Sequence, residues 1–290
     1  MSRRGWMLFI ALCIIWGLPY LMIKVAIREV DPATLVLLRT APVALVLVPW
    51  CAASDRLRPL RPVMGWIALY GLCEFGVPWL FMGSAEQRLS SSMTALLVAM
   101  VPILAVILYR LTHPREVIGA TRILGLIIGT AGVALLVGLS VGGASTLGII
   151  EMGIVVVGYT LGPFIISTRL PDASGPGIVA VSVALVAIAY LPFGVTHLPA
   201  HLSLETIGAI AVLALVCTAG GFLALIALTR EVGPARATVV TYVNPAVAIA
   251  LGVVFLGEQI TIGMVIGFPL IIVGSVLATS RGAGSIEPAP

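Results

Sequence analysis

The sequence predicts an all-α polytopic membrane protein: ten transmembrane helices arranged as two inverted five-helix repeats, with both termini cytoplasmic. Three observations predict it: apolar runs along the whole chain, arginines concentrated in alternate connections, and an internal repeat. Of the 290 residues, 60% are hydrophobic and 10% charged, with a mean hydropathy of +1.17. A soluble domain carries roughly 25% charged residues. Apolar runs long enough to cross a hydrocarbon core of about 30 Å fall at 5–24, 32–53, 64–85, 91–111, 121–140, 147–168, 175–196, 205–229, 235–256 and 261–279. Ten runs of about twenty residues leave no room for a soluble catalytic domain, so function must reside inside the bundle.

Taken in order, the gaps carry turn-forming pairs: Asp31-Pro32, Arg58-Pro59 with Arg61-Pro62, His113-Pro114, Gly142-Gly143, Gly175-Pro176 and Gly233-Pro234. The first run follows a Met-Ser-Arg-Arg start, as a secretory signal would. It extends to Ile23 without a small-x-small cleavage site and more spans follow, so it reads as helix one. With the N-terminus inside, the inner segments hold Arg3, Arg4, Arg56, Arg58, Arg61, Arg110, Arg115, Arg122, Arg169, Arg230, Arg236 and Arg281. The outer segments hold only Lys24, Arg28 and Arg88, while Arg39 lies within a span. This is the positive-inside asymmetry. The net charge of +4 is thereby spent on topology, and nucleic acid is excluded as a partner. Cys13, Cys51, Cys73 and Cys217 lack paired spacing and read as buried apolar residues, with no disulfide framework and no metal site.

A shift of 143 residues lays Gly5 on Gly148, Pro49 on Pro192, Gly65 on Gly208 and Pro102 on Pro245. It also lays Trp16 on Tyr159 and Trp79 on Phe222. After a one-residue slip near His113 the shift of 142 aligns Glu116 with Glu258, Gly125 with Gly267 and Gly132 with Gly274. The chain therefore divides into a first repeat at 1–143, a second at 144–281 and a short cytoplasmic tail at 282–290. Five spans is an odd number, so the copies cross the membrane in opposite senses, as in transporters that build two gates around one site.

Trp16-Gly17, the stretch Gly233-Pro234-Ala235 through Tyr242-Val243-Asn244-Pro245 to Leu256-Gly257-Glu258, and Ala85-Glu86-Gln87 through Ser91-Ser92-Met93-Thr94-Ala95-Leu96 to Val101-Pro102 resemble the drug/metabolite transporter superfamily, EamA type. The resemblance covers essentially the whole chain. It departs from the usual pattern at His113-Pro114-Arg115-Glu116, where Gly-Glu is common. Within the superfamily the aromatic-rich helices look most like the bacterial YddG-type exporters of aromatic amino acids. That resemblance implies a multi-pass exporter of the bacterial inner membrane, with a central cavity lined by helices one, three, four, six, eight and nine. It also implies a small amphipathic solute such as an amino acid.

Trp16 and Tyr20 share one face of helix one, with Pro19 between them. Such residues near a span end form interfacial belts, but the mid-span depth of Trp16 and of its equivalent Tyr159 favours the cavity. Tyr159 lies within Gly158-Tyr159-Thr160-Leu161-Gly162, a close-packing GxxxG spacing, four residues before Pro163. Glu74 is the only carboxylate near a span centre, where a charge costs several kcal/mol unless paired, hydrated or protonated. It can hold a solute ammonium, accept a coupling proton, or stay neutral and hydrogen-bonded to a neighbouring helix. Arg39 reads as structural, near a headgroup or backbone carbonyls; a pair with Glu74 has no support from spacing. Phe75, Pro78, Trp79 and Met82 form a stripe on helix three that faces either the cavity or lipid.

Pro102 and Pro245 remove backbone donors mid-span in helices four and nine, beside the polar groups of Thr241, Tyr242 and Asn244. Met100 and Val243, each two residues before its proline, are expected to flank the same cavity, as is Phe222. The GxSxG match at 138–142 lacks strand–turn–helix context, and His197 and His201 are divided by Pro199 with no third ligand. Glycine pairs Gly125/Gly129 and Gly263/Gly267 mark close packing of helices five and ten, or a weak homodimer in place of a monomer. No P-loop, haem spacing or metal cluster appears, so no cofactor is expected. The reading is a transporter and not an enzyme. An intramembrane enzyme acting on lipid would need a second catalytic group beside Glu74, and a lipid-scrambling bundle would show no saturable solute flux.

Overall fold

The computed structural model describes residues 2–112, 119–139, 145–233, 237 and 239–279. Every regular element among them is helical. Among these residues, nine helices are long and apolar enough to cross a membrane: α1 (Arg3–Ala26), α2 (Pro32–Ala53), α3 (Arg58–Glu86), α4 (Ser91–Thr112), α5 (Ala120–Gly138), α6 (Thr146–Arg169), α7 (Gly175–Thr196), α8 (Leu204–Val232) and α10 (Ile262–Thr279). Between the last two lies the shorter apolar α9 (Val240–Leu256). The ten predicted spans thus each correspond to a helix. Glu116, the GxSxG residues Ser140 to Gly142, Pro234 and the tail beyond 279 lie outside the described residues.

Helix starts follow local chemistry. Ser2, Asp31, Ser90, Ser145 and Ser203 cap α1, α2, α4, α6 and α8, each side chain accepting from a first-turn N–H. The sequence places Arg58-Pro59 and Arg61-Pro62 in a connection, yet α3 opens there with a 3₁₀ turn over Arg58–Val63 that continues directly as α-helix. Prolines suit a helix start, where no N–H partner is needed, and Leu60 is buried there.

Three helices depart from regular α geometry. In α4 the two α-helical stretches Ser91–Val98 and Val101–Thr112 are separated by a turn at Ala99 and Met100, the break expected ahead of Pro102. The Ser275 hydroxyl of α10 donates to the freed Ala99 carbonyl at 3.2 Å. At Pro245 the helix runs through without interruption. In α3 a π turn spans Leu72–Gly76, and in α8 another spans Val212–Gly220. The first holds Glu74 and the second its equivalent, Cys217. Pro78 cannot donate to the Glu74 carbonyl, but α8 forms its π turn with Gly221 at the equivalent position.

The helices pack in related sets. α2 packs on α7, α4 on α9 and α5 on α10, each helix against the one five later. The pairs α1–α8 and α3–α6 both occur, as do α1–α9 and α4–α6, and α2–α8 and α3–α7. Along α5–α10, Gly125, Gly129 and Gly132 lie directly against the backbone or side chains of α10 and Ile103. Those glycines are therefore occupied within one chain, and the homodimer suggested for them has no free surface on that face.

One end of the bundle carries exposed Trp6, Trp50 and Trp66. There the Arg56 guanidinium lies 4.4 Å from the Trp50 ring centroid and Arg169 lies 4.6 Å from Trp66. Tryptophan and arginine together form a membrane–water interface. The opposite end is laced by polar ties. Arg28 meets Glu205 at 3.6 Å, and Glu29 accepts from the Ser203 N–H at 2.9 Å, which holds its carboxyl below the ordinary range. The Lys24 ammonium donates to the Glu86 and Leu89 carbonyls at the end of α3.

Candidate functional site

The aromatic residues predicted for the cavity gather where α1, α3, α6 and α8 meet. Phe75 is fully buried and forms the hub. Its ring centroid lies 5.5 Å from Tyr70, 5.0 Å from Trp79 and 5.3 Å from Phe222. Phe222 in turn meets Trp16 edge-on at 5.7 Å. Each such edge-on pair contributes about 0.5–1.5 kcal/mol beyond simple burial. Trp16, Tyr159 and Phe222 are only half-buried, whereas Tyr20, Trp79 and Met82 are buried. The Tyr159 hydroxyl lies beside the Trp79 indole.

Glu74 sits on the α3–α6 seam. Its Oε2 is fully enclosed, lies against Gly162, and has no hydrogen-bond partner among the described residues. Gly158 makes room for the Cys73 carbonyl and the Pro78 ring, so the GxxxG spacing of α6 serves contact with α3. Pro163, predicted to line the site, is exposed, unlike Gly162 before it, which packs on Glu74.

Arg39 corrects the sequence reading. Expected to be structural, near a headgroup or backbone carbonyls, it is buried at 6% exposure beside the aromatic cluster. Its guanidinium carbon lies 3.4 Å from the Trp79 ring centroid and its Nε–H donates to Thr218 Oγ1 at 3.0 Å. Thr218 donates onward to the Leu213 carbonyl at 2.8 Å, within the π turn of α8. Tyr159, Cys217, Tyr20 and Glu86 lie within electrostatic reach of the guanidinium. Among the described residues no carboxylate lies within ion-pair distance of it, Glu74 included.

Two other predicted residues lie elsewhere. Met100 lines an apolar cleft of about 330 Å³ between α4, α5 and α6, with Leu97, Ile103 and Met152; the break at Ala99 and Met100 turns it there. Tyr242 donates to Thr279 or accepts from it at 2.8 Å, so its hydroxyl is committed to α10. Asn244 is buried, with Oδ1 lacking a partner among the described residues.

The Gly-Glu pair at the end of α9 has a clear structural use that the sequence did not disclose. Gly257 ends the helix at φ +66°, a left-handed conformation that glycine adopts without strain. The turn sends the Glu258 carboxylate onto the start of α4, where it accepts from Ser91 N at 2.7 Å, Ser92 N at 3.0 Å and Ser92 Oγ at 2.5 Å. A Cβ on Gly252 would displace that carboxylate. A carboxylate at a helix N-terminus gains from both the free N–H groups and the dipole. Glu258→Gln should therefore cost about 1–3 kcal/mol, read as a lower thermal midpoint in detergent, while the solute range stays unchanged.

The model of the EamA-like transporter family matches residues 3–138 and again residues 146–280. The chain is 30% identical over 264 residues to the uncharacterized inner membrane transporter YedA of Escherichia coli (strain K12), covering 87% of this chain and 82% of that protein. It is 24% identical over 282 residues to an uncharacterized transporter of Archaeoglobus fulgidus, covering 96% and 99%. A crystal structure at 19% identity superposes with a TM-score of 0.66 over 96% of this chain and 97% of that one. The last likeness concerns fold alone.

Proposed function

Because this chain belongs to the EamA-like transporter family, we propose that it exports amino acids, aromatic or other neutral ones, by alternating access around the Trp16–Phe222–Phe75–Trp79 cluster. Family membership makes it a multi-pass inner-membrane transporter of a small molecule and not an enzyme. In the proposed reading, 1–143 and 144–281 are inverted repeats and both termini are cytoplasmic.

The aromatic cluster carries the substrate reading. Apolar and aromatic walls with a few placed polar groups suit a small solute with an apolar side chain. Glu74 is proposed to meet the solute's ammonium group, since its enclosed oxygen has no partner of its own among the described residues. The symmetry reading draws support from three sides. The family model matches each half separately. Trp16 against Phe222 and Tyr159 beside Trp79 are equivalent pairs under the 143-residue shift. At one end Arg88 of the α3–α4 connection meets Glu151 of α6 at 3.2 Å, and at the other Glu231 of α8 accepts from Ser2 at 2.5 Å; Arg88 and Glu231 are 143 apart, while their partners Ser2 and Glu151 are 149 apart. The tryptophan and arginine interface at the Trp6 end supports a cytoplasmic N-terminus.

Purified protein in proteoliposomes should move phenylalanine or tryptophan down a gradient without ATP. A panel in which only cationic drugs or nucleotide sugars compete for flux would overturn the amino-acid reading. Glu74→Gln should lower phenylalanine flux at every pH. Flux that persists but loses its response to an imposed pH gradient would assign Glu74 to a coupling proton instead.

A further inference from the structure

We propose that Arg39 binds the carboxylate of the transported solute, so that the site selects acids over their amides. The inference deepens the amino-acid reading and rests on it. It starts from a buried cation whose charge has no ionic partner among the described residues. Arg39 is the seventh residue after Pro32, roughly 10 Å along α2 at 1.5 Å per residue, and only 6% exposed. A cation at that depth is costly unless something compensates it. The described residues supply one neutral hydrogen bond, from Nε to Thr218, and the face of Trp79. An arginine presents five N–H donors in a planar fork. Thr218 takes one of them, and the other end of the fork is matched in shape to a carboxylate.

The groups facing Arg39 come from several helices. Trp79 and Glu86 belong to α3, Tyr159 to α6, Tyr20 to α1, and Thr218 and Cys217 to α8. Glu86 is the one acid among them, and it makes no ion pair with Arg39. Trp79 fixes the plane of the guanidinium, and the same ring touches Phe75 in the aromatic cluster. A solute whose aromatic side chain lies on that cluster therefore has its carboxylate near the fork. Thr218 is a positioning residue: its hydroxyl holds Nε, and its own donation to Leu213 locks the rotamer.

The test measures how well phenylalanine, phenylalaninamide, 3-phenylpropionate and 3-phenylpropionamide compete for labelled phenylalanine flux in proteoliposomes. In the wild-type protein each acid should compete at least about tenfold better than its amide. Acid and amide competing equally would overturn the proposal without any variant. Arg39→Gln should bring the acid-to-amide ratio to about one, whereas Arg39→Lys keeps a preference for the acid. A ratio unchanged in Arg39→Gln would overturn the proposal and leave the arginine a packing role. Should Arg39→Gln fail to fold, the wild-type and Arg39→Lys ratios decide. If the wild-type protein carries 3-phenylpropionate but no amino acid, the amino-acid reading fails and the Arg39 assignment is judged by that acid and its amide. If it carries neither acid, both are overturned.

Discussion

Gly274→Leu is expected to lower the thermal midpoint of the protein in detergent further than any other single change on the α5–α10 face. A side chain at Gly274 would run directly into the Gly129 backbone N and Cα and the Gly125 carbonyl. These are backbone atoms, so no rotamer change relieves the overlap; the two helices must separate. Overpacking of a close interface costs about 1–3 kcal/mol where side chains can adjust, and here about 3 kcal/mol or more is expected. Gly65→Leu and Gly208→Leu supply the internal control. A Cβ at either position would meet nothing within 4 Å, and both positions face outward, so both variants should melt within about 0.5 kcal/mol of the parent protein. Equal loss at all three positions would mean that the seam does not set the cost, since leucine is the better helix former at each of them.

The second large effect belongs to Thr218→Val. Valine keeps the shape and removes the hydroxyl that both accepts from Arg39 and donates to Leu213 across the π turn. Two buried groups lose their partners, one of them a cation, at an expected cost of about 2–4 kcal/mol. Thr218→Ser retains the hydroxyl and should lose less than about 1.5 kcal/mol, mainly from the missing methyl. A melting profile for Thr218→Val indistinguishable from Thr218→Ser would show that the hydroxyl carries no weight.

The spans and the arginine asymmetry were legible because both depend on local composition read against one length scale, the bilayer thickness. The aromatic stripe of helix three was legible because its spacing survives in a helix. Rotation about each helix axis was not legible. Pro163 and Tyr159 are four residues apart, yet Pro163 is exposed and Tyr159 half-buried. Arg39 stood out as a charge within a span, but its partners were hidden for the same reason: the ring lies 40 residues away in α3 and the hydroxyl 179 away in α8. The Gly-Glu pair was recognised as a signature while its purpose stayed hidden, since Ser91 and Ser92 lie in the other half.

Alternating access around the α1–α3–α6–α8 centre is the central claim, and Cys217 reports on it most directly. It lies in the π turn of α8, within electrostatic reach of Arg39, and only 1% exposed. With Cys13, Cys51 and Cys73 replaced by alanine, its labelling by a membrane-impermeant thiol reagent is followed in right-side-out and in everted vesicles. The account predicts labelling from both faces, slowed by phenylalanine in each case. Glu151→Gln should raise labelling from the face that bears Arg88, and Glu231→Gln from the face that bears Ser2. Labelling from a single face whatever the solute, or both substitutions favouring the same face, would contradict alternating access in this bundle.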